Sequence, residues 1–462
     1  MAFGTQKSIQ EQIELRMLLS EALHLSADSG ASAAGKFRAA ARPVVESQCK
    51  ILVSGLCSVG KSSFVGALWG DSQMLPTAVR DCTQTNTLIR VPAAGEQDRG
   101  ILLSYLSRVE ALDYATRDLS YYRISALLSE VNGPLGPRLD ELPPEERLRK
   151  AVNSLRQIFK AKPELFVLNE PLSAELEKLE QFLAFLDSPD YQPGKTVRAE
   201  WNDRREHLMG RLREDARTLD AGKLLALRHV EIVRETVSWK SGTPQVVDSP
   251  WIPTYHNARR ADLILKQGRE ADILVILALP IKFQPEPWIA QIVRERPELL
   301  KRILVVFNQI DTVDTASLFS REGFAAAYQE NAESLVRLGF MPENLFLSCA
   351  RLPFLEHGPK DEKDELTPRL IERLKGVLGK LAKLAAPRPE SDFKRKLLSA
   401  CDPADAGIES LRARLMALAH GPVFQTHAAN ALRALDGIMP LDIPVNAQAE
   451  WRELMTRIEK WC

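Results

Sequence analysis

The 462-residue sequence lacks net charge: 61 Lys and Arg stand against 61 Asp and Glu. A general polyanion binder shows a basic excess, so that class is disfavoured; a local basic patch stays open. Long hydrophobic runs are also missing. The longest, residues 273–281, falls far short of the roughly 20 residues that span a bilayer. The sequence therefore argues against an integral membrane protein and leaves peripheral contact open. The N-terminal stretch, MAFGTQKSIQEQIELRM, has no apolar core of the kind a signal peptide needs. Cysteines are few and scattered, at Cys49, Cys57, Cys82, Cys349, Cys401 and Cys462. No two form a Cys-x-x-Cys pair and no histidine sits at zinc spacing. That pattern predicts reduced, mostly structural thiols in a cytosolic protein. No internal repeat is visible.

What is present reads as globular. Hydrophobic residues make up 45% and charged residues 26%, near domain averages, and the length suits two or three domains. Residues 7–27 predict an amphipathic helix, with Leu15, Leu18, Ala22 and Leu25 on one face. A second helix ends near Val45. Short apolar runs at 50–54, 273–279, 303–307 and 345–347 predict buried strands, and 86–92, 229–238 and 245–248 read as further strands. Helical segments lie between them. This alternation predicts an α/β fold with a mostly parallel sheet.

Residues 104–227 break the alternation and read as helical. Leu148, Val152, Leu155 and Phe159 share one face; Leu176, Leu179, Leu183 and Leu186 share another. The expected organisation is an N-terminal helical segment over 1–48, an α/β unit over 49–103 and 228–385, a helical insertion over 104–227, and a C-terminal helical segment over 386–462. That last segment carries two apolar stripes: Ile408, Leu411, Leu415 and Leu418, then Trp451, Leu454, Ile458 and Trp461. Packing on a neighbouring element is the expectation for both; an exposed partner face is the alternative.

The strongest motif is Gly55-Leu-Cys-Ser-Val-Gly60-Lys61-Ser62, which fits Gly-x4-Gly-Lys-Ser/Thr between an apolar strand and a helix. Such a loop curls backbone N–H groups of residues such as Cys57, Ser58, Val59 and Gly60 around phosphate oxygens, at the positive end of a helix. Lys61 would reach the β- and γ-phosphates. Ser62 would ligate Mg²⁺, and Ser63 doubles the serine.

Asn308-Gln309-Ile310-Asp311 directly follows the strand at 303–307. A carboxylate at Asp311 can accept from the N1–H and exocyclic amine of guanine, which adenine cannot offer. The third element that usually accompanies such a reader is Ser-Ala-Lys; Ser348-Cys349-Ala350, after the strand at 345–347, matches it with one extra residue or a shifted frame. Asp248 ends the strand at 245–248 and suits a water-mediated Mg²⁺ contact. The glycine expected three residues later is Trp251. Between the P-loop helix and the next strand, Thr83 is the candidate Mg²⁺ and γ-phosphate sensor, since Thr85 and Thr87 read as part of that strand.

In order, these elements resemble the translation-factor-related GTPases and, more closely, the dynamin family, particularly its bacterial dynamin-like and mitofusin-like members. The likeness rests on GLCSVGKSS (55–63), LPTAVRDCTQTNTLIRV (75–91), VVDSPWIP (246–253), ILVVFNQID (303–311) and GIESLRARL (407–415), and covers roughly 1–103 and 228–435. The resemblance implies GTP and GDP binding with Mg²⁺, hydrolysis of GTP stimulated by G-domain pairing, and often membrane remodelling. It assigns Ser58, Lys61 and Thr83 to catalysis, Ser58 by positioning the attacking water or a monovalent cation. It assigns Ser62, Thr83 and Asp248 to Mg²⁺, and Asn308 and Asp311 to the base.

Several positions depart from the family. Cys57 stands where some dynamins have glutamine, Trp251 replaces the switch glycine, and Ile252 offers no water-orienting side chain. Gln309 replaces the usual Lys or Arg. These predict slowed hydrolysis more than lost binding. The stretch after Ala350 is short for a full dynamin stalk with a lipid-binding tip and shows no apolar paddle, so fission by this chain alone is not expected. The implied partners are a second copy of the G domain or a partner dynamin-like subunit, with peripheral membrane contact open and no nucleic acid. The implied location is cytoplasmic. Two alternatives remain beside a dynamin-like GTPase: a regulatory GTP switch of another kind, and a weakly hydrolysing pseudo-GTPase scaffold.

Overall fold

The four apolar runs predicted as buried strands lie side by side at one end of a nine-stranded sheet in the computed structural model. It describes residues 9–27, 32–55, 59–70, 87–92, 100–117, 119–132, 139–161, 170–199, 225–234, 243–249, 258–280, 287–312, 323–356, 366–385, 392–404, 406–438 and 442–461.

Along the chain, α1 (Ile9–Leu25) and α2 (Ser32–Val45) precede β1 (Gln48–Gly55), α3 (Lys61–Trp69), β2 (Thr87–Arg90) and β3 (Gly100–Tyr105). Among the described residues four helices follow: α4 (Arg108–Thr116), α5 (Leu119–Asn132), α6 (Pro144–Ala161) and α7 (Glu170–Leu186). Then come β4 (Thr196–Ala199), β5 (Leu227–Val233), β6 (Thr243–Asp248), α8 (Ala258–Glu270), β7 (Ile273–Ala278), α9 (Pro287–Glu295), β8 (Ile303–Phe307), α10 (Phe324–Arg337) and β9 (Leu345–Leu347). The chain closes with α11 (Arg351–Glu356), α12 (Leu366–Ala385), α13 (Asp392–Cys401), α14 (Ile408–Leu418), α15 (Phe424–Leu435) and α16 (Gln448–Ile458).

The strand order is β4-β3-β5-β2-β6-β1-β7-β8-β9. From β6 to β9 every pairing is parallel, which places the C-terminal ends of β6, β1, β7, β8 and β9 along one edge. Every residue of β7 and of β8 is buried. Their side chains alternate between two layers: Leu274, Ile276 and Ala278 face a core shared with α8, α9, α10, α12 and α13, whereas Ile273, Val275 and Leu277 face α3 and α14. Burial on both faces explains why these strands read as unbroken apolar runs.

The other half of the sheet is mixed, with β2 parallel to β5. β2 runs antiparallel to β6, and β3 is antiparallel to both β4 and β5. β4 lies inside the interval expected to be wholly helical. It forms because Leu103 pairs with Val197 and the Ser104 and Thr196 hydroxyls hydrogen-bond at 2.8 Å; partners distant in sequence decide it, not local pattern. Between β3 and β4, the four helices α4–α7 close a hydrophobic core of their own around Leu112, Ile124, Leu148, Leu155, Leu179 and Phe182.

The two chain ends meet. Leu15, Leu18 and Leu19 of α1, Phe37 and Ala41 of α2, Phe424 and Leu432 of α15, and Trp451 and Leu454 of α16 form one buried core. The first apolar stripe, Ile408 to Leu418, packs on the sheet. The second packs in this bundle, with Trp461 partly buried at its rim. Both stripes therefore cover neighbours, and the alternative of an exposed partner face is set aside. Between α14 and α15 the helix widens to a π-type turn at Ala419–Val423, where Pro422 has no N–H to offer an α ladder. Gln12 of α1 donates to the His420 carbonyl there at 3.0 Å.

Candidate functional site

The edge where parallel strands end is where open α/β sheets bind ligands. Four expected motifs converge on it. Val53 of β1 stands in register with Asp248 of β6, Gly55 with Leu277 of β7, and Phe307 of β8 with Leu347 of β9.

The loop after β1 is possible only because of its glycines. Gly55 has φ +152°, and a Cβ there would lie 2.3 Å from the Leu277 carbonyl oxygen. Gly60 has φ +83°, and a Cβ would meet the Asn308 amide nitrogen at 3.0 Å. Gly55 lets one backbone approach another closely, and Gly60 lets the Asn308 side chain close on the loop. Gly60 turns the chain into α3 as its N-cap, without a side-chain cap. The first turn of α3, Lys61, Ser62 and Ser63, thus presents a helix N-terminus to the sheet edge, suited to an anion. Lys61 is 8% exposed and donates to the Gly55 carbonyl at 3.1 Å, which folds its ammonium back over the loop.

The Ser62 hydroxyl donates to Asp248 Oδ2 at 2.7 Å, and Asp248 is 1% exposed. A hydroxyl beside a carboxylate is an all-oxygen, hard donor pair. It fits Mg²⁺, which keeps several waters and takes few protein ligands, better than a softer metal. Ser249 continues the strand end, its hydroxyl donating to the Val53 carbonyl at 2.9 Å.

Asn308 links three of the motifs. Its backbone N–H donates to Ala278 at the end of β7. Its side-chain amide donates to the Val59 carbonyl at 2.9 Å, and its side-chain oxygen accepts from the Ala350 N–H at 3.1 Å. Asparagine is suited to this position because its amide offers a donor and an acceptor on separate atoms, one for each loop. Gln309 follows in the left-handed region, φ +62°, packed over Gly60. One turn on, half-buried Asp311 accepts a hydrogen bond from the Cys349 thiol at 3.3 Å.

The Ser348-Cys349-Ala350 loop divides its work. Ser348 turns away from the edge and donates to the Ala406 carbonyl at 3.0 Å; Cys349 faces Asp311; Ala350 holds Asn308. Burial first, then the Asp311 carboxylate, push the Cys349 thiol up. It therefore stays an S–H donor at neutral pH.

The structure thus brings together Gly55, Val59, Gly60, Lys61, Ser62, Ser63, Asp248, Asn308, Gln309, Asp311, Cys349 and Ala350. Cys57, Ser58, Thr83, Trp251 and Ile252 lie outside the described residues, as does Thr85; Thr87 begins β2.

Two supports were not read from sequence. Ala406, with φ +48°, accepts from both Ser348 and the Cys349 N–H, bracing the loop from the C-terminal side. The Ala406-Gly407 pair before α14 was its only signal. Arg412 of α14 donates to the Ala67 and Leu68 carbonyls at the far end of α3, at 2.6 and 2.9 Å. A lone arginine on a helix gave no hint of that.

No family model matches the sequence, and no curated protein matches it. Among solved structures the chain is similar to an oligomerised bacterial dynamin pair, described as a mechanism for long-range sensing and tethering of membranes. In one the identity is 13% and the TM-score 0.36, covering 86% of this chain and 60% of the other. In a second the identity is 13% and the TM-score 0.37, covering 90% of this chain and 57% of the other. The chain therefore spans less than two thirds of either relative's length. No helix among the described residues is long and apolar enough to cross a membrane.

Proposed function

We propose that this chain is a guanine-nucleotide-binding GTPase of dynamin-like type, hydrolysing GTP to GDP and phosphate. The observation that carries the reading is the double hydrogen bond of Asn308. It ties the phosphate loop at Val59 to the base loop at Ala350, so that Lys61 and Asp311 serve one ligand. The dynamin-like type rests on the motif order of the sequence.

In this reading the N–H groups opening α3, with Lys61, hold the β- and γ-phosphates, and Asp311 accepts from the guanine edge. Ser62, Asp248 and Thr83 hold Mg²⁺, which when bound neutralises charge developing on the transferred phosphoryl. Ser58 positions the attacking water. Catalysis then rests on positioning and electrostatics, with no general base from the chain. Trp251 and Ile252, in place of a glycine and a water-orienting residue, favour a slow basal rate, which a second G domain raises.

The organisation that goes with this is a GTPase unit over 49–103 and 228–385, interrupted by the helical insertion and extended by the bundle of the two chain ends. Its partners are a second copy or a dynamin-like subunit, with peripheral membrane contact and no nucleic acid. A cytoplasmic location agrees with the buried free thiols of Cys49, Cys349 and Cys401.

The test is Mg²⁺-dependent GTP turnover per subunit across a wide range of protein concentration, with ATP in parallel. A per-subunit rate that climbs with concentration for GTP alone supports the reading. A flat, near-zero rate beside tight GTP binding supports the scaffold reading that Trp251 favours.

A further inference from the structure

Where the sheet ends at β9, α10 and the start of α13 leave a groove of about 840 Å³ between them. That volume lies within the range of small-molecule sites. Ala325, Ala332 and Val336 of α10 line it, as do Pro342, Leu345 of β9 and Phe393 of α13. Val336 is 42% exposed, so part of this apolar lining is open to water.

One polar group at the groove is not answered by the fold. Tyr328 of α10 lines the groove and is 4% exposed, and its hydroxyl is buried without a hydrogen-bond partner among the described residues. An unpaired buried hydroxyl is costly, and few native groups are left so. The ring is not free to swing toward another partner. Phe307, Phe324 and Phe393 pack around it, with ring centroids at 5.4, 6.3 and 5.0 Å. Burial first, then the Asp392 carboxylate, push the Tyr328 hydroxyl up, so it keeps its proton and stays a donor.

The rim bears on the charge of an occupant. Glu333 pairs with Arg337 at 3.5 Å and accepts from the Gln329 amide at 3.0 Å. Asp392 pairs with Lys396 at 2.8 Å, and Lys394, also on the rim, is not free either. These charges are engaged within the protein. What the groove offers a ligand is apolar wall and one neutral donor.

We infer that this groove binds a small neutral ligand with an apolar, ring-sized body and one carbonyl-type acceptor, which takes the hydrogen bond of the Tyr328 hydroxyl. An anion is disfavoured, because the Asp392 carboxylate already acts on that hydroxyl. The half-buried Phe393 ring, in the first turn of α13, is the wall that gives way as the acceptor reaches it. The groove is separate from the sheet edge of Lys61 and Asp311, and its ligand does not depend on the guanine reading.

The test uses the full chain and three probes: acetophenone, toluene, which keeps the ring without an acceptor, and benzoate, which carries a charge. Binding is followed by ligand-observed NMR titration. Bodies of this size predict acetophenone affinity of about millimolar order, with benzoate weaker. Tyr328→Phe should weaken acetophenone about three- to ten-fold, the worth of one modest hydrogen bond, and leave toluene unchanged. A merely structural tyrosine would not split the two probes. Since the hydroxyl has no partner to lose, Tyr328→Phe should not lower the melting temperature of the free protein. Ala332→Leu, at a half-buried wall position, should fill the groove and abolish binding of all three. The inference is overturned if no probe binds the wild type, if benzoate binds as well as acetophenone, or if Tyr328→Phe changes acetophenone and toluene alike. Binding that survives Ala332→Leu places the probes elsewhere and overturns it as well.

Discussion

Asn308 reaches across the sheet edge to the carbonyl of Val59, a residue 249 positions earlier, and closes the distance to 2.9 Å. The same side chain accepts from Ala350. One amide therefore joins the loops after β1, β8 and β9. All three of its groups are buried, so neither half of the amide can be replaced by water without cost.

Asn308→Ala leaves the Val59 oxygen and the Ala350 N–H unpaired in a dry setting. The expected loss is about 2–4 kcal/mol of stability by chemical denaturation. Guanine-nucleotide affinity should fall by at least about ten-fold. Asn308→Asp keeps the acceptor but loses the donor, and belongs in the same series. A stability unchanged in both variants contradicts the bridging role.

Gly60→Ala should separate binding from folding. Its φ of +83° costs a residue with a Cβ roughly 1–2 kcal/mol, and the Cβ would press on the Asn308 amide. Thermal melts should show a modest loss, while nucleotide titration shows a loss of binding out of proportion to it. Gly55→Ala is harsher, because the Leu277 carbonyl is backbone and cannot move aside.

Arg412 tests how α3 is held at its far end. Its guanidinium caps the Ala67 and Leu68 carbonyls, a cation at a helix C-terminus, and also pairs with Glu409. Arg412→Ala should cost about 1–3 kcal/mol in denaturant unfolding. Arg412→Lys should recover only part of it, since an ammonium lacks the fork that spans two carbonyls.

Acid should weaken the fold. Burial lowers His229 and His420 from the ordinary histidine value, His420 with a further push from Arg16. As pH falls through about 6.5 the unfolded chain takes up protons that the folded chain refuses, so stability drops with falling pH until the folded groups protonate. Melting temperature should decline between about pH 7 and pH 5. His420→Gln should flatten that decline; an unaltered slope assigns the acid sensitivity elsewhere.

Much of the sheet edge was legible from residue order because strands buried on both faces announce themselves. The runs at 303–307 and 345–347 coincide with β8 and β9, and the motifs sit where those strands stop. β3 and β4 were not legible. Thr196–Ala199 is short, at an edge, and owes its conformation to Leu103 and Ser104, nearly a hundred residues away. The bundle of α1, α2, α15 and α16 was visible as stripes but not as one core, since a stripe does not say what it meets. The frame of Ser348-Cys349-Ala350 was ambiguous on paper. Only the turn at Ala406 decides that Ser348 faces away and Cys349 faces Asp311.

The central claim is that one ligand spans the loop at Lys61 and the reader at Asp311. Calorimetric titration of GTP, XTP and ATP into the wild type, Lys61→Ala and Asp311→Asn tests it most directly. The account predicts GTP binding without ATP binding in the wild type, no binding in Lys61→Ala, and in Asp311→Asn a weakened GTP beside a new affinity for XTP. Equal affinity for ATP in the wild type, or an unchanged guanine preference in Asp311→Asn, contradicts it.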